Sequence, residues 1–209
     1  MRNRGKGITY KILFSRAFSP ARRIFMKLLK DYLRSTQRGI VRIGDTFTLI
    51  EEVRREVEML LGDDEARNIY LAVESTKRVP GDVAEAGVYK GGSAKLICEA
   101  KGDKALHLFD TFEGLPEGWA PDSPWYQRKF DSFLEAKQNL AKYKNVHFHK
   151  GLIPSTFDSV KQKSFSFVHL DVDRYESTSE CLKFFYPRMS LGGIIISHDY
   201  PSEGGKESV

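Results

Sequence analysis

The stretch Gly81-Asp-Val-Ala-Glu-Ala-Gly-Val-Tyr-Lys-Gly-Gly-Ser93 lies near the middle of the 209-residue chain. It predicts a short apolar strand that runs into Glu85, then a turn rich in glycine (Gly87, Gly91 and Gly92), then a serine that can cap a helix. A glycine turn between a strand and a helix lets the backbone approach a ligand and directs helix N–H groups at a polar or anionic group. The stretch therefore indicates a nucleotide-type cofactor site, and a plain structural turn is the alternative.

The spacing of the glycines separates two cofactor classes. Dinucleotide-binding folds use G-x-G-x-x-G, whereas this chain has G-x-x-x-G-G from Gly87 to Gly92. That spacing favours S-adenosylmethionine over a nicotinamide cofactor, so a nicotinamide-dependent oxidoreductase is disfavoured.

The composition indicates one domain preceded by a basic arm. Residues 1–42 carry twelve Lys and Arg against Asp31 alone, a net charge of +11, while the whole chain carries +5. Two cysteines do not make a disulfide framework and predict a reducing, cytoplasmic location. No apolar run reaches the roughly 18 residues that a membrane-spanning helix needs.

The sequence predicts an amphipathic helix in the arm over residues 19–34, with an apolar face opposite a basic one. Two interpretations stay open for this helix. It can lie on an anionic membrane, or its apolar face can pack on this domain or on a second subunit. Nucleic-acid binding is not expected, because the arm has no recognisable reading module.

Beyond the arm, strands and helices alternate, which predicts a mostly parallel sheet with helices on both faces. The first predicted helix covers about 46–61 and turns Ile50, Val53, Val57, Leu60 and Leu61 inward. The other predicted helices cover about 64–78, 93–101, 131–142 and 176–186. The predicted strands are Val83–Glu85, Ala105–Phe109, Val146–His149, Phe165–Leu170 and Gly193–Ser197.

Acidic residues follow three of these strands, at the edge where such sheets bind ligands. Asp110 follows the second strand and is placed to accept hydrogen bonds from ribose hydroxyls. If the fourth and fifth strands are neighbours, as in methyltransferases, Asp171, Asp173, His198 and Asp199 converge. Such a cluster is expected to hold a cation, Mg²⁺ or Mn²⁺. The alternative is that Asp173 only caps the following helix.

Four stretches occur in an order and spacing that resemble the TylF/macrocin O-methyltransferase family, over about residues 45–200: the glycine stretch, Phe109–Pro116, Leu170–Thr178 and Gly192–Tyr200. The resemblance implies a Rossmann-like, S-adenosylmethionine-dependent domain over residues 45–209, after an arm of residues 1–44. It also implies methylation of a hydroxyl, typically on a sugar of a natural product or another glycan-like acceptor, with a divalent metal.

The resemblance also assigns roles by position. The predicted cofactor-binding residues are Glu85, Gly87, Gly91, Gly92, Ser93, Asp110 and Gly151, with Gly151 beside the adenine. Asp171 and Asp199 are the predicted metal ligands. The family has an aspartate where this chain has His198, so His198 is either the third ligand or, like Asp171, a candidate catalytic base.

Three further expectations follow. Trp119, Trp125 and Tyr126 form a lid or sugar platform, or a loop pinned by its own packing. The four strand histidines, His107, His147, His149 and His169, are packed rather than catalytic. The family fold continues beyond the fifth strand, whereas this chain has nine polar residues after Tyr200; the fifth strand is therefore expected to be an exposed edge that favours a homodimer. An inactive cofactor-binding module with a membrane- or partner-binding arm is the competing function.

Overall fold

The computed structural model describes residues 43–114 and 131–198. The basic arm, the aromatic segment 116–130 and Asp199 lie outside the described residues, so the predictions made for them stay predictions. For residues 43–45 only the backbone is described.

A five-stranded parallel sheet forms the centre of the fold, as the alternating pattern predicts. The strand order is β3-β2-β1-β4-β5, and every neighbouring pair is parallel. The chain order reverses between β1 and β4, which places a ligand-binding crevice at the carboxyl ends of these two strands. The strands are β1 (Asp82–Ala86), β2 (Leu106–Asp110), β3 (Val146–Lys150), β4 (Phe165–Leu170) and β5 (Met189–Ser197).

Five α-helices and two short 3-10 helices accompany the sheet among the described residues. The α-helices are α1 (Ile43–Glu56), α2 (Asp63–Ser75), α3 (Gly92–Ala100), α4 (Phe133–Leu140) and α5 (Tyr175–Phe185). The 3-10 helices, Ser155–Val160 and Tyr186–Arg188, were not predicted.

The first predicted helix ends earlier than its apolar pattern suggests. α1 stops at Glu56, and Leu60, predicted to face inward, is 58% exposed, while Val57 and Leu61 are buried. The segment after Glu56 runs over the start of α3, and the Arg54 guanidinium donates to the Leu61 carbonyl at 2.7 Å. The prediction for Leu60 was therefore wrong, because tertiary contacts end the helix before its periodicity does.

Aromatic side chains fill one face of the sheet. Phe109, Phe165 and Phe185 pack there with Cys181 against the small residues of β1. Burial of each phenylalanine contributes about 1.5–3 kcal/mol, so this layer holds β1, β2 and β4 in register. Both cysteines are free and buried, and burial raises the pKa of each thiol to about 12, so neither is poised to react.

β5 is an edge strand within the described part of the chain, as expected. It pairs with β4 alone, and Leu191 in its first half is fully exposed. No described helix is both long and apolar enough to cross a membrane.

Candidate functional site

The residues that follow the five strands meet at one rim of the sheet. Each of four continues the parallel ladder by donating its backbone N–H to the neighbouring strand: Gly87 to Phe109 O at 2.9 Å, Gly151 to Asp110 O at 2.9 Å, Asp171 to Ala86 O at 2.8 Å, and His198 to Leu170 O at 2.8 Å. The rim therefore brings together the predicted cofactor residues and two of the predicted metal residues.

Gly87 and Gly92 are required by close backbone contacts. Gly87 has φ +84°, and a Cβ on it would lie 1.7 Å from the Asp171 carbonyl oxygen. A Cβ on Gly92 would lie 2.6 Å from the Glu58 carbonyl oxygen. Gly87 thus packs the glycine turn directly on the backbone at the end of β4, and Gly92 lets the 57–62 segment cross the start of α3.

The amino end of α3 points into this turn. Gly91, in the left-handed conformation with φ 88°, holds the N-cap position, and no side chain of the described residues caps the helix there. Ser93 lies inside the helix, so the prediction that Ser93 caps it was wrong. The first N–H groups of this nine-residue helix are the kind of donors that bind a carboxylate or phosphate.

Asp110 braces the turn as well as standing at the predicted ribose position. Its Oδ2 accepts the backbone N–H groups of Val88 at 2.6 Å and Tyr89 at 2.9 Å, and its Oδ1 accepts that of Phe112 at 2.7 Å. Charge-assisted bonds of this kind are about twice as strong as neutral ones. Oδ2 already accepts two hydrogen bonds, so a bound ribose would use Oδ1 and share it with the Phe112 N–H and with the Thr111 hydroxyl, which lies 3.4 Å away.

A second set of contacts secures the outside of the turn, and sequence reasoning missed it. The Lys90 ammonium pairs with Glu58 at 3.0 Å and Glu135 at 3.4 Å, and the Asn139 amide donates to the Lys90 carbonyl at 2.9 Å. The hydrogen bond to Glu58 is the main reason that the pKa of Lys90 rises to about 12. No spacing in the sequence signals these partners, because Glu58 lies in the segment after α1 whereas Glu135 and Asn139 lie on α4.

Glu85 is fully buried beneath the turn. Its Oε1 lies 2.8 Å from His169 Nδ1, and its Oε2 has no hydrogen-bond partner among the described residues. A buried carboxylate oxygen without a donor costs free energy that a cationic ligand group can recover. This oxygen fits the predicted role of Glu85 in cofactor binding.

The ends of β4 and β5 are less enclosed. Asp171 and His198 are both half-buried, and they follow neighbouring strands. Residues 43–114 and 131–198 contain no cluster of three His, Cys, Asp or Glu side chains that could hold a metal ion. Arg174, not Asp173, holds the N-cap position of α5, so the alternative that Asp173 caps this helix was wrong.

Three of the four strand histidines, His107, His149 and His169, are packed, as predicted. His147 is exposed, although its ring stacks on that of His107, so the prediction of packing was wrong for this residue. His107 lies between Asp82 Oδ2 at 3.1 Å and His149 Nε2 at 3.0 Å, and His149 also stacks on Phe109. Burial, together with the charges of His107 and His147, lowers the pKa of His149 to about 4. Burial also lowers the pKa of His107, so the rings of His107 and His149 are neutral, structural members of β2 and β3.

Comparisons with known proteins agree with this geometry. The demethyldecarbamoylnovobiocin O-methyltransferase of Streptomyces niveus is 29% identical over 180 residues, which cover 73% of this chain and 69% of that protein. The 8-demethyl-8-(2,3-dimethoxy-alpha-L-rhamnosyl)-tetracenomycin-C 4'-O-methyltransferase of Streptomyces olivaceus is 31% identical over 149 residues, or 63% of this chain and 57% of that protein.

The solved structure of the O-methyltransferase NovP superposes with a TM-score of 0.60 at 28% identity, over 72% of this chain and 73% of that one. The family described as Macrocin-O-methyltransferase (TylF) matches residues 32–209. This range contains the whole described sheet and its rim. The chain therefore belongs to the macrocin O-methyltransferase (TylF) family, and its enzyme class is O-methyltransferase.

Proposed function

We propose that this protein transfers a methyl group from S-adenosylmethionine to a hydroxyl of a sugar, on a natural product or another glycan-like acceptor. The observation that carries the proposal is the glycine turn packed on the Asp171 backbone at the end of β4, which we propose as the cofactor cradle. Two relatives support the acceptor class, since one is a demethyldecarbamoylnovobiocin O-methyltransferase and the other is a 4'-O-methyltransferase of a rhamnosyl tetracenomycin.

The residues of the turn fit the methionine and ribose parts of this cofactor. Glu85 offers a buried anionic oxygen, and the N–H groups at the start of α3 offer donors for a carboxylate. Gly87, Gly91, Gly92 and Ser93 lie in the same turn, while Asp110 serves the ribose and Gly151 the adenine. When bound, the cofactor supplies an electrophilic methyl group on a sulfonium.

The chain's own task is to place the acceptor hydroxyl and remove its proton. Asp171 and His198, side by side at the ends of β4 and β5, are the proposed bases. Histidine suits proton transfer near neutral pH, because its ordinary pKa is about 6.5. Holding the hydroxyl in line with the methyl group supplies much of the remaining acceleration.

We also propose a divalent cation, Mg²⁺ or Mn²⁺, held by Asp171, His198 and Asp199. Carboxylate and imidazole donors suit these ions, and a bound cation lowers the pKa of a hydroxyl. The described residues do not form such a centre by themselves, because Asp199 lies outside them. Removal of metal with EDTA should abolish turnover, and Mg²⁺ or Mn²⁺ should restore it; unchanged turnover would exclude the cation.

The experiment that tests the proposal compares Asp171→Ala with the control variant Asp173→Asn. Asparagine is chosen for the control because it tolerates the left-handed backbone conformation of residue 173 (φ 60°). We expect the first variant to lose turnover about 100-fold or more, with affinity for S-adenosylhomocysteine within about threefold of wild type. The second should keep most of its turnover. Release of S-adenosylhomocysteine is measured over a panel of deoxysugar-bearing acceptors, and full turnover by the Asp171 variant would contradict the assignment.

The homodimer, the cytoplasmic location and the peripheral membrane contact through residues 19–34 stay predictions. Deletion of residues 1–40 tests the arm. We expect the deleted protein to keep its turnover and to lose any binding to anionic vesicles. Loss of turnover on deletion would assign the arm to the enzyme itself.

A further inference from the structure

Glu85 and His169 form a buried pair at the point where the strand order reverses. They occupy directly paired positions on β1 and β4, and both side chains are fully buried. His169 Nδ1 lies 2.8 Å from Glu85 Oε1. The pair therefore joins the strand that carries the glycine turn to the strand that carries Asp171.

The hydrogen bond fixes which Glu85 oxygen remains available. When Glu85 is a carboxylate it can only accept, so His169 Nδ1 carries the hydrogen and donates it to Oε1. Oε2 then has no donor among the described residues, although it is buried. A buried carboxylate oxygen in this state binds strongly to any cationic donor that reaches it.

The identity of that donor follows from the proposed function, on which this inference rests. S-adenosylmethionine carries two cations near its methionine end, an ammonium and a sulfonium. Only the ammonium has N–H groups to donate, so only the ammonium satisfies Oε2 with a hydrogen bond. Glu85 lies in β1, two residues before Gly87, which is the first glycine of the turn.

We propose that His169 is a positioning residue for the cofactor: by holding Glu85 Oε1, it presents Oε2 to the amino group of S-adenosylmethionine. His169 does not touch the cofactor in this arrangement and acts only through Glu85.

A comparison of two ligands tests the proposal. S-adenosylhomocysteine has the amino group, whereas 5'-methylthioadenosine has the same adenosine and thioether but no amino-acid part. We expect His169→Leu to weaken S-adenosylhomocysteine binding about tenfold and to leave 5'-methylthioadenosine within about twofold, as measured by calorimetry. His169→Asn, whose amide places a donor near the Nδ1 position, should bind S-adenosylhomocysteine within about threefold of wild type.

Two further variants complete the design. Glu85→Gln should show the same ligand selectivity as His169→Leu, and it keeps the test valid if the leucine variant does not fold. His147→Leu, on the exposed side of β3, is the matched histidine control and should change neither affinity.

The outcomes separate the two levels of the argument. If His169→Leu and Glu85→Gln fold and bind S-adenosylhomocysteine like wild type, or lose both ligands equally, the positioning role is overturned. If the wild-type protein binds neither ligand, the proposed function fails, and the inference that rests on it fails with it.

Discussion

The glycine turn and the β4–β5 rim (Asp171 and His198) lie at the same edge of one sheet but are built differently. The turn is braced from three sides, by Asp110 beneath it, by Glu58 and Glu135 around Lys90, and by the Asp171 backbone against Gly87. The β4–β5 rim is half-buried and lies beside an edge strand. A fixed turn suits an invariant cofactor, whereas an open rim suits an acceptor that must enter and leave.

The largest effect is expected where the two regions touch. Gly87→Ala adds a Cβ that would clash with the Asp171 carbonyl oxygen and that disfavours the left-handed backbone of this residue. We therefore expect a loss of about 4 kcal/mol or more in the free energy of unfolding. Gly102→Ala is the matched control, because Gly102 is also left-handed but a Cβ there meets nothing within 4 Å; about 1 kcal/mol is expected. Urea unfolding measures both, and equal losses would show that the contact with Asp171 is unimportant.

The next effect tests the brace beneath the turn. Asp110→Ala leaves the N–H groups of Val88, Tyr89 and Phe112 without their acceptor, so we expect a loss of about 2–3 kcal/mol and at least a tenfold fall in S-adenosylhomocysteine affinity. Glu113→Ala, which removes only an exposed pair with Lys150, should cost under about 0.5 kcal/mol. A normal affinity in a folded Asp110→Ala protein would mean that the turn does not need its brace.

The sequence predicts those features of the fold and the site that arise from neighbouring residues, and it misses those that arise from contacts between distant segments. β4 was predicted at its observed bounds, Phe165–Leu170, because a buried apolar run between polar residues is a local signal. The brace between Asp110 and the turn was not predicted, since the two donors in the turn, Val88 and Tyr89, are 22 and 21 residues away and meet Asp110 only in the folded sheet. The end of α1 was missed for the same reason.

A smaller effect is expected in the pH dependence of stability. The pKa of His149 is about 4 in the folded protein and about 6.5 when unfolded, so the unfolded chain binds the proton more tightly. The contribution of neutral His149 to the free energy of unfolding is complete above about pH 6.5 and is lost as the pH falls towards 4. Between pH 7.5 and 5 we expect the free energy of unfolding to fall by about 1 kcal/mol less in His149→Gln than in wild type. The difference is no larger because this ring is half-buried and solvent limits the effect.

Urea midpoints at the two pH values measure this difference. His149 lies on β3 and is paired with Phe109 on β2, the strand that ends in Asp110, so the measurement shows whether the tight packing near the turn extends to β3. An equal fall in stability for the variant and the wild type would show that His149 is not the source of the pH dependence.

The smallest effect is expected on the open side. Leu191→Lys on β5 changes a side chain that is fully exposed, so we expect the free energy of unfolding to change by less than about 0.5 kcal/mol. A charge on this edge also opposes strand pairing between copies, so sedimentation should show any β5-mediated dimer weakened. A large loss of stability in the monomer would show that this part of β5 is covered.

Calorimetric titration of the 209-residue chain with S-adenosylmethionine, with NAD⁺ as control, tests the central claim most directly. The braced turn, the start of α3 and the buried Glu85 oxygen predict saturable one-to-one binding of S-adenosylmethionine and none of NAD⁺. Binding of NAD⁺ alone, or of neither compound by a folded sample, would contradict the assignment of this rim to methyl transfer.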